Sequence, residues 1–549
     1  MPTLPATADR PRTAVLDLAG WRTGALLQAL AQAQTQGQAL DYVVCVGDAL
    51  DAVRAALTQA PAAGLQALCA QLPSVHGAGW HRIDAPDARL RLWLGVGDPL
   101  ECLRQLRLQA DRVLLDALAP DAAVPKALAR CCRRGTLLGL ADPSAQPTPE
   151  VRALWAQQGF CWPAGTAGAP VQGEWNPPWE IKTSREPWRA WRSAPARCVV
   201  LGAGIAGAAV ASALARRGWQ VQVLDAQGHP AAGASGLPVG LAAPYATADD
   251  SPLARLTRHG VRLLQQQAHA LLHTGRDWAP SGVLERLGEG GDHWQPHACW
   301  IKPAALVQAW LRTPGVEFLP HRAVHHLQRA GADWQLLDAS DQLLAQSPRV
   351  VLANAAGARA VLDQSADVPD ALAQWPATHS VRGLVSWGIH AQPETRPFPA
   401  VPLHGNGSLI AHVPFGDSAR WFVGASYQPV RAREAEWPDD KNHGANALRL
   451  EKLAPALFAA LSPELEAQGL QAWKGQRCVS ADRLPLLGPV ASTAEGLWAC
   501  AGFGSRGLSL VTVCAELLAA QWSGEPWPVD ASLAQALLPQ RKRAAGRTD

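Results

Sequence analysis

Short apolar runs, each closed by a glycine turn and followed by a small-residue helical stretch, recur along this chain. Val199, Val200 and Leu201 form one such run, with the helical stretch "AAVASALARRG" behind it. A second run, "WQVQVLDA", ends on Asp225. Runs of this length between glycines predict strands buried on both faces of a parallel sheet. Val350 to Ala353, in "RVVLANAAGARAV", predicts another, closing on Asn354 and Gly357. Near the end, "GLWACAGFGSRGLSLVTVCAELLAAQWSGE" reads as strand, glycine turn and amphipathic helix.

The earlier part shows the same alternation. "TAVLDLAGWRTGALLQALAQA" reads as strand, glycine loop and helix, "LDYVVCVGDAL" as a second strand, and "RLRLWLGVGDPLECL" and "DRVLLDALAP" as later ones. "RCCRRGTLLGLAD" adds a late glycine turn and strand. Strands alternating with helices predict α/β units. Between the two parts, residues 165–196 are rich in Pro, Gly and Trp without sustained periodicity, and read as a linker packed by tryptophans. The expected organisation is a first domain over 1–164, a linker over 165–196, a second domain over 197–540 and a basic tail over 541–549.

Composition narrows the function classes. Of 549 residues, 49 are basic and 46 acidic, a net charge of +3 that excludes a strong global pull toward DNA while allowing a local basic face. No apolar run approaches the roughly 20 residues of a membrane span, so no membrane partner is expected. The eleven cysteines show no CxxC pair or ligand spacing, so no metal is expected. With "MPTLPATADRPRTAV" lacking a signal pattern, the expectation is reduced thiols in a cytoplasm.

Gly202, Gly204 and Gly207 give the pattern G-x-G-x-x-G between strand and helix. The first glycine permits the tight turn, the second lets backbone approach a pyrophosphate, and the third allows close helix–strand packing. The helix N-terminus, at Ile205 and Ala206, supplies unpaired N–H groups and partial positive charge. Asp225 stands where a carboxylate accepts hydrogen bonds from a ribose diol and disfavours a 2′-phosphate. This motif alone does not separate FAD from NAD. The loop "AQGHPAAGASGLPVGLAAPY" occupies the place of a simple NAD fold's next helix. With the Val350 strand and the last glycine turn, it makes three separated segments converge on one long dinucleotide. FAD is therefore the expected cofactor. Ala234, Ser235 and Gly236 from the loop, and Gly502, Gly504, Ser505, Arg506, Gly507 and Leu508 from the turn, join the cofactor-binding set. The expected fold is a glutathione-reductase-like FAD-binding Rossmann domain with an inserted antiparallel sheet over the flavin.

The order "LGAGIAGAAVASALARRGWQVQVLDA", "AAGASGLPVGLAAPY", "VRGLVS", "FVGASYQP", "RCVSADRLPLLGPV" and "GFGSRGLSL" resembles the D-amino-acid-oxidase superfamily. Within it, the stretch from about Ala196 to Leu538 resembles the flavin half of the bifunctional tRNA wobble-uridine modification family, MnmC. The resemblance implies a tRNA substrate, supplied by other tRNA-modification enzymes. It also implies oxidative removal of the carboxymethyl group from 5-carboxymethylaminomethyl-(2-thio)uridine, leaving the aminomethyl nucleoside. The side group is an N-substituted glycine; its oxidation gives an imine that water hydrolyses. Arginine is the natural clamp for its carboxylate, because a planar fork makes two hydrogen bonds. Arg477 falls where related amine oxidases place such an arginine, Arg506 is a second candidate beside the flavin, and Tyr427 is a candidate pocket wall. Cys478 lies outside the spacing at which sarcosine-oxidase relatives tether flavin, so FAD is expected to be noncovalent.

In the resembled family a methyltransferase domain using S-adenosylmethionine precedes the flavin domain. The first domain here keeps that outline with departures. The expected G-x-G-T-G loop is "AGWRTG", with Ala19, Trp21 and Arg22 crowding the backbone; Val46 stands where the ribose acid is expected, with Asp48 two positions late. After Asp116 the family's "GFAPxxNP" is "ALAPDAAVP", and the family's leading portion is missing before the first motif strand. Asp98 and Asp116 survive. A degenerate methyltransferase-like domain that does not use S-adenosylmethionine is the expectation, a fully bifunctional enzyme the alternative. Two further alternatives stay open: a glycine- or sarcosine-type amine oxidase, and a non-catalytic FAD-containing tRNA-binding protein. The tail residues Arg541, Lys542, Arg543 and Arg547 form either a solvated end or a phosphate contact.

Overall fold

A computed structural model describes residues 12–61, 63–86, 89–142, 148–162, 172–181, 193–288, 291–368, 375–390, 397–431, 434–466, 469–491 and 494–541. The first body is an eight-stranded sheet built from β1 (Arg12–Asp17), β2 (Ala39–Cys45), β3 (Gly79–Asp84), β4 (Leu90–Val96), β5 (Ala110–Leu115), β6 (Cys132–Leu140), β7 (Phe160–Cys161) and β8 (Gln172–Trp175). Their order is β3-β4-β2-β1-β5-β6-β8-β7, with the five strands β4, β2, β1, β5 and β6 parallel. Each residue of the central β2 is buried, as a parallel strand covered on both faces requires.

One boundary moves. Gln172–Trp175 lies inside the stretch read as a linker, yet it pairs antiparallel with β6, and its Trp175 is buried in the first core. Gly173 makes room for the Trp162 ring, since a Cβ there would come within 2.8 Å of it. Four residues between Pro- and Gly-rich flanks are too short to show a period.

The second body carries two sheets that matter for function. In the first, Val316–Leu319, Gln220–Leu224, Arg197–Leu201, Val350–Leu352, Leu497–Ala501 and Leu486–Pro489 lie in that order, parallel except for the last. The helix Ile205–Ala215 is buried nearly all round because alanine and glycine let its backbone approach the sheet on one side and the helix Gly507–Ser523 on the other. The other sheet runs Asp292–Gln295, Val283–Arg286, Leu403–Gly405, Gly407–Phe415, Ser418–Gly424 and Thr378–Ile389, with Gln471–Ser480 antiparallel along the last. It forms the layer over the dinucleotide-binding sheet. This is the FAD-binding Rossmann architecture with an inserted sheet expected from the glycine motifs. Among the described residues, no helix is long and apolar enough to cross a membrane.

Buried charge joins the two bodies. Glu516, in the helix Gly507–Ser523, accepts from Arg82 of β3 at 2.9 Å, from Arg217 at 2.9 Å, and from Arg216. Glu525 accepts from Arg91 of β4 at 3.0 Å and from Arg217 at 2.7 Å. Arg91 also forks onto the buried Asp41 of β2. Burial drives the Glu516 carboxyl upward, but Arg217, Arg216 and Arg82 pull it down further, and it stays ionised well below the usual range. Asp530 accepts the Trp80 N–H at 2.9 Å and pairs with Arg255, while the Trp93 indole donates to the Trp527 carbonyl at 3.0 Å. Beside this seam the rings of His81 and His259 lie 5.2 Å apart. Burial, then Arg262, pushes His81 down to about 3.

Glu516→Ala leaves three buried guanidinium groups without their central anion. The expected cost is about 3–5 kcal/mol of unfolding free energy, read as a lowered urea midpoint; an unchanged midpoint would contradict this role. His81 is held neutral in the folded protein, whereas the unfolded chain takes up a proton near its ordinary value of 6.5. Stability therefore declines as pH falls from about 6.5 toward 3. Urea midpoints across that range should show the decline, and His81→Gln should make it shallower, with the adjacent His259, also pushed down by burial, supplying part of what remains.

Candidate active site

The binding groove starts where Arg197–Leu201 ends. Gly202 turns with φ +105°, a conformation that favours glycine, and a Cβ there would sit 2.9 Å from the Ala353 carbonyl oxygen. Gly207 packs underneath: its Cβ would fall 1.8 Å from the Gly202 oxygen. Gly204 faces the groove, and a Cβ there would meet the Ser235 Oγ at 3.2 Å. That hydroxyl oxygen accepts the Ile205 N–H at 2.8 Å, so the "GASG" loop closes onto the helix start. Ala234 lines the groove beside it, Ala206 lines it from the helix, and Gly236 holds the turn against the Ala231 carbonyl.

Asp225 lies at the far end of this groove. Its Oδ2 accepts the Ala203 N–H at 2.7 Å and its Oδ1 the Gln227 N–H at 2.8 Å, and each oxygen keeps further acceptor capacity. Asn354 Oδ1, on the same groove, is buried with no partner among the described residues. An unmet buried acceptor is costly, and a ligand's hydroxyl or amide donor would satisfy it. The glycine cradle, the carboxylate and this orphaned oxygen fit a long dinucleotide.

The groove, of about 440 Å³, opens past Ile205, Ser235 and Gly504 into a second cavity of about 440 Å³. Leu237, Val239 and Leu241 wall it on the cofactor side, and Val385, Ile410 and Phe422 on the side of the inserted sheet. Gly502 and Gly504, with φ of +73° and +58°, bend the last turn so that Ser505, Arg506, Gly507 and Leu508 reach the cavity at the start of the helix Gly507–Ser523. That helix end offers unpaired N–H groups and partial positive charge.

Arg477, on Gln471–Ser480, borders the groove, the cavity and its mouth. Gly383 leaves space for it, since a Cβ there would lie 2.8 Å from its Nη2. The guanidinium sits 6.0 Å over the Tyr427 ring, and no carboxylate pairs with it among the described residues. Burial lowers its pKa and Tyr427 opposes that, but an arginine remains charged. Arg506 lies 4.6 Å over Tyr245, its pKa likewise lowered by burial. Tyr427 is 47% exposed and stands at the mouth with Arg483. Asp482 instead pairs with Arg541 at 2.6 Å and caps the Leu484 turn. The tail residues Lys542, Arg543 and Arg547 lie outside the described residues. Cys478 lines the groove with its thiol pushed up by burial.

The cavity also holds residues not singled out from the sequence. Trp473 lies two strand steps from Gly475 and four from Arg477, so period-two counting back from the arginine would have found it. Tyr245 follows the "GASG" loop in an irregular stretch. Glu285 and His404 come from strands far apart in the chain, and no local pattern marks them. Arg322 borders the groove near Asp225, also without a local signal.

These features define a flavin-dependent oxidoreductase, and the model of the FAD dependent oxidoreductase family matches residues 197–286 and 276–521. The chain is 45% identical over 498 residues to the tRNA 5-methylaminomethyl-2-thiouridine biosynthesis bifunctional protein MnmC of Albidiferax ferrireducens, covering 84% of this chain and 81% of that one. The Polaromonas naphthalenivorans protein of the same name is 41% identical over 513 residues, covering 84% and 78%. The chain belongs to the MnmC family of FAD-dependent oxidoreductases. Among solved structures, glycine oxidase from Bacillus cereus is similar with a TM-score of 0.48 at 17% identity, covering 59% of this chain and 94% of that one.

Gly204→Val places a branched side chain where a pyrophosphate must approach. The variant should keep its far-ultraviolet circular dichroism and lose bound flavin absorbance; normal FAD affinity would show that this groove has been misassigned.

Proposed function

We propose that the chain oxidises the carboxymethylaminomethyl group of a tRNA wobble uridine and releases the aminomethyl nucleoside. The observation that carries this reading is Arg477: a half-buried guanidinium, paired with no carboxylate among the described residues, at the junction of cofactor groove and cavity. It is suited to grip the carboxylate of an N-substituted glycine through two charge-assisted hydrogen bonds. The names of the relatives, which specify tRNA 5-methylaminomethyl-2-thiouridine biosynthesis, supply the substrate class. The FAD-binding set is Gly202, Gly204, Ile205, Ala206, Gly207 and Asp225, the loop Ala234–Gly236, and the turn Gly502–Leu508.

FAD, when bound noncovalently there, supplies a two-electron acceptor for the carbon–hydrogen bond next to the amine. The chain's own residues orient and desolvate. Arg477 fixes the carboxylate, so the neighbouring methylene is placed rather than left to diffuse. Leu237, Val239 and Phe422 keep that end of the cavity dry, which favours the neutral amine over its ammonium form. Loss of hydride and proton from N–CH2–COO⁻ gives an imine. Addition of one water then releases glyoxylate and the primary aminomethyl group. Tyr427 and Arg483 at the mouth, with Arg506, present an aromatic and cationic rim to an anionic nucleic acid. A glycine- or sarcosine-type oxidase would need the same clamp without that rim.

Three features of the first sheet weigh against S-adenosylmethionine. Asp17, at the end of β1, is buried and engaged by the Ala19 N–H at 3.0 Å and by the Tyr42 hydroxyl. Trp21 packs on the same core cluster that buries Val46, and Asp48 points to solvent. We infer that this body performs no methyl transfer and serves as a brace.

Arg477→Ala should retain FAD and slow anaerobic flavin reduction by carboxymethylaminomethyl-uridine tRNA, with a loss of about 2–5 kcal/mol in transition-state stabilisation. Arg477→Lys should recover part of it, and wild-type rates from both would remove Arg477 from the site. Calorimetry with S-adenosylmethionine should show no binding; micromolar affinity with methyl transfer to the aminomethyl product would restore a bifunctional enzyme.

A further inference from the structure

Among the described residues lining the cavity, Glu285 carries the only carboxylate. Its Oε2 accepts the Gln295 side-chain N–H at 2.6 Å, and no lysine or arginine pairs with it among the described residues. It stands in register with His404 on the adjacent parallel strand. The His404 Nδ1 lies 3.0 Å from the Ser408 Oγ, and burial keeps the ring neutral. Arg506, stacked over Tyr245, lines the same cavity.

Glu285 and His404 lie on other strands of the sheet than Arg477. Four strands, Leu403–Gly405, Gly407–Phe415, Ser418–Gly424 and Thr378–Ile389, separate the strand of Glu285 from that of Arg477. Glu285 and Arg477 therefore enter the cavity from well-separated strands of one sheet. Gln295 meets one oxygen of this half-buried carboxylate, and its other oxygen has no partner among the described residues, so it can accept from a donor in the cavity. A second anion on the ligand would be repelled here, so this carboxylate favours a hydrogen-bond donor beside it and leaves the substrate's carboxylate to Arg477. The edge of a uracil ring offers that donor, an N3–H flanked by two carbonyl acceptors. Enzymes that act on one base out of the stack commonly read this edge.

We propose that Glu285, supported by Gln295 and His404, accepts the N3–H of the substrate's uracil ring. The ring lies beside Tyr245, and Arg506 donates to one of its carbonyls. This inference rests on the tRNA-oxidation reading above. It makes Glu285 a specificity residue: the arginine recognises the side group, and the carboxylate recognises the base.

The test follows anaerobic flavin reduction of the holoenzyme by two synthetic anticodon stem–loops. Both carry 5-carboxymethylaminomethyluridine at the wobble position, and one also carries a methyl group on N3. With the wild-type protein, N3-methylation should slow reduction at subsaturating RNA by roughly tenfold to a hundredfold. Glu285→Ala should slow the unmethylated RNA by a similar factor and shrink the methylation penalty to within about twofold. Glu285→Gln, which keeps an acceptor oxygen, should recover most of the lost rate. Equal rates for the two RNAs with the wild-type protein would overturn the inference even if the alanine variant failed to fold. A full penalty persisting in the variants would overturn it as well. If the unmethylated RNA fails to reduce the wild-type flavin, the oxidation reading itself falls and takes this inference with it. Normal reduction by the unmethylated RNA with no effect of methylation overturns the base contact alone.

Discussion

Glu516 and Glu525 place two negative charges in a largely buried seam, and the chain answers with arginines from both bodies. A buried carboxylate is tolerable only when paired and hydrogen-bonded on most sides, so these partners leave the helix Gly507–Ser523 little freedom to shift. That helix begins at the cavity, where Arg506, Gly507 and Leu508 face the flavin-binding space, and Glu525 follows just beyond its end. The seam therefore ties the geometry of the cofactor site to the packing of the first sheet. Arg82 and Arg91 come from that sheet, while Arg216 and Arg217 follow the helix that the G-x-G-x-x-G turn starts.

If the first sheet performs no methyl transfer, as proposed above, this coupling gives it another role. Trp21 packs on its core after β1, and its strand-end acid, Asp17, accepts from Tyr42. A domain can lose a cofactor pocket and keep its outer face, because pocket residues and seam residues are different side chains. Here the seam residues Trp80, Arg82, Arg91 and Trp93 sit on the edge strand β3 and its neighbour β4, away from the β1 loop.

The parts of the site that were legible in the sequence are those whose geometry is local. Gly202, Gly204 and Gly207 act within a single turn, and Asp225 follows at the end of the next strand, so spacing alone carried them. Arg477 and Arg506 were found through motif resemblance, and the structure brings both to the cavity. Glu285 and His404 escaped because strand pairing over long separations, not sequence spacing, brings them together, and Tyr245 because it lies in an irregular stretch without a period. The seam escaped for the same reason: no pattern along the chain announces that Arg82 will meet Glu516. The short strand Gln172–Trp175 was taken for linker because its flanks carry loop composition and its length gives no period.

The central claim is that this chain removes the carboxymethyl group from a wobble uridine and stops at the aminomethyl product. Mass analysis of wobble nucleosides from cells deleted for this gene, and from the same cells complemented with it, tests that claim most directly. The account predicts that 5-carboxymethylaminomethyl nucleosides accumulate on deletion. Complementation should then convert them to the aminomethyl form without the methylated one, in a host with no other source of the methyl transfer. An unchanged nucleoside profile on deletion, or appearance of the methylaminomethyl form that depends on this chain alone, would contradict it.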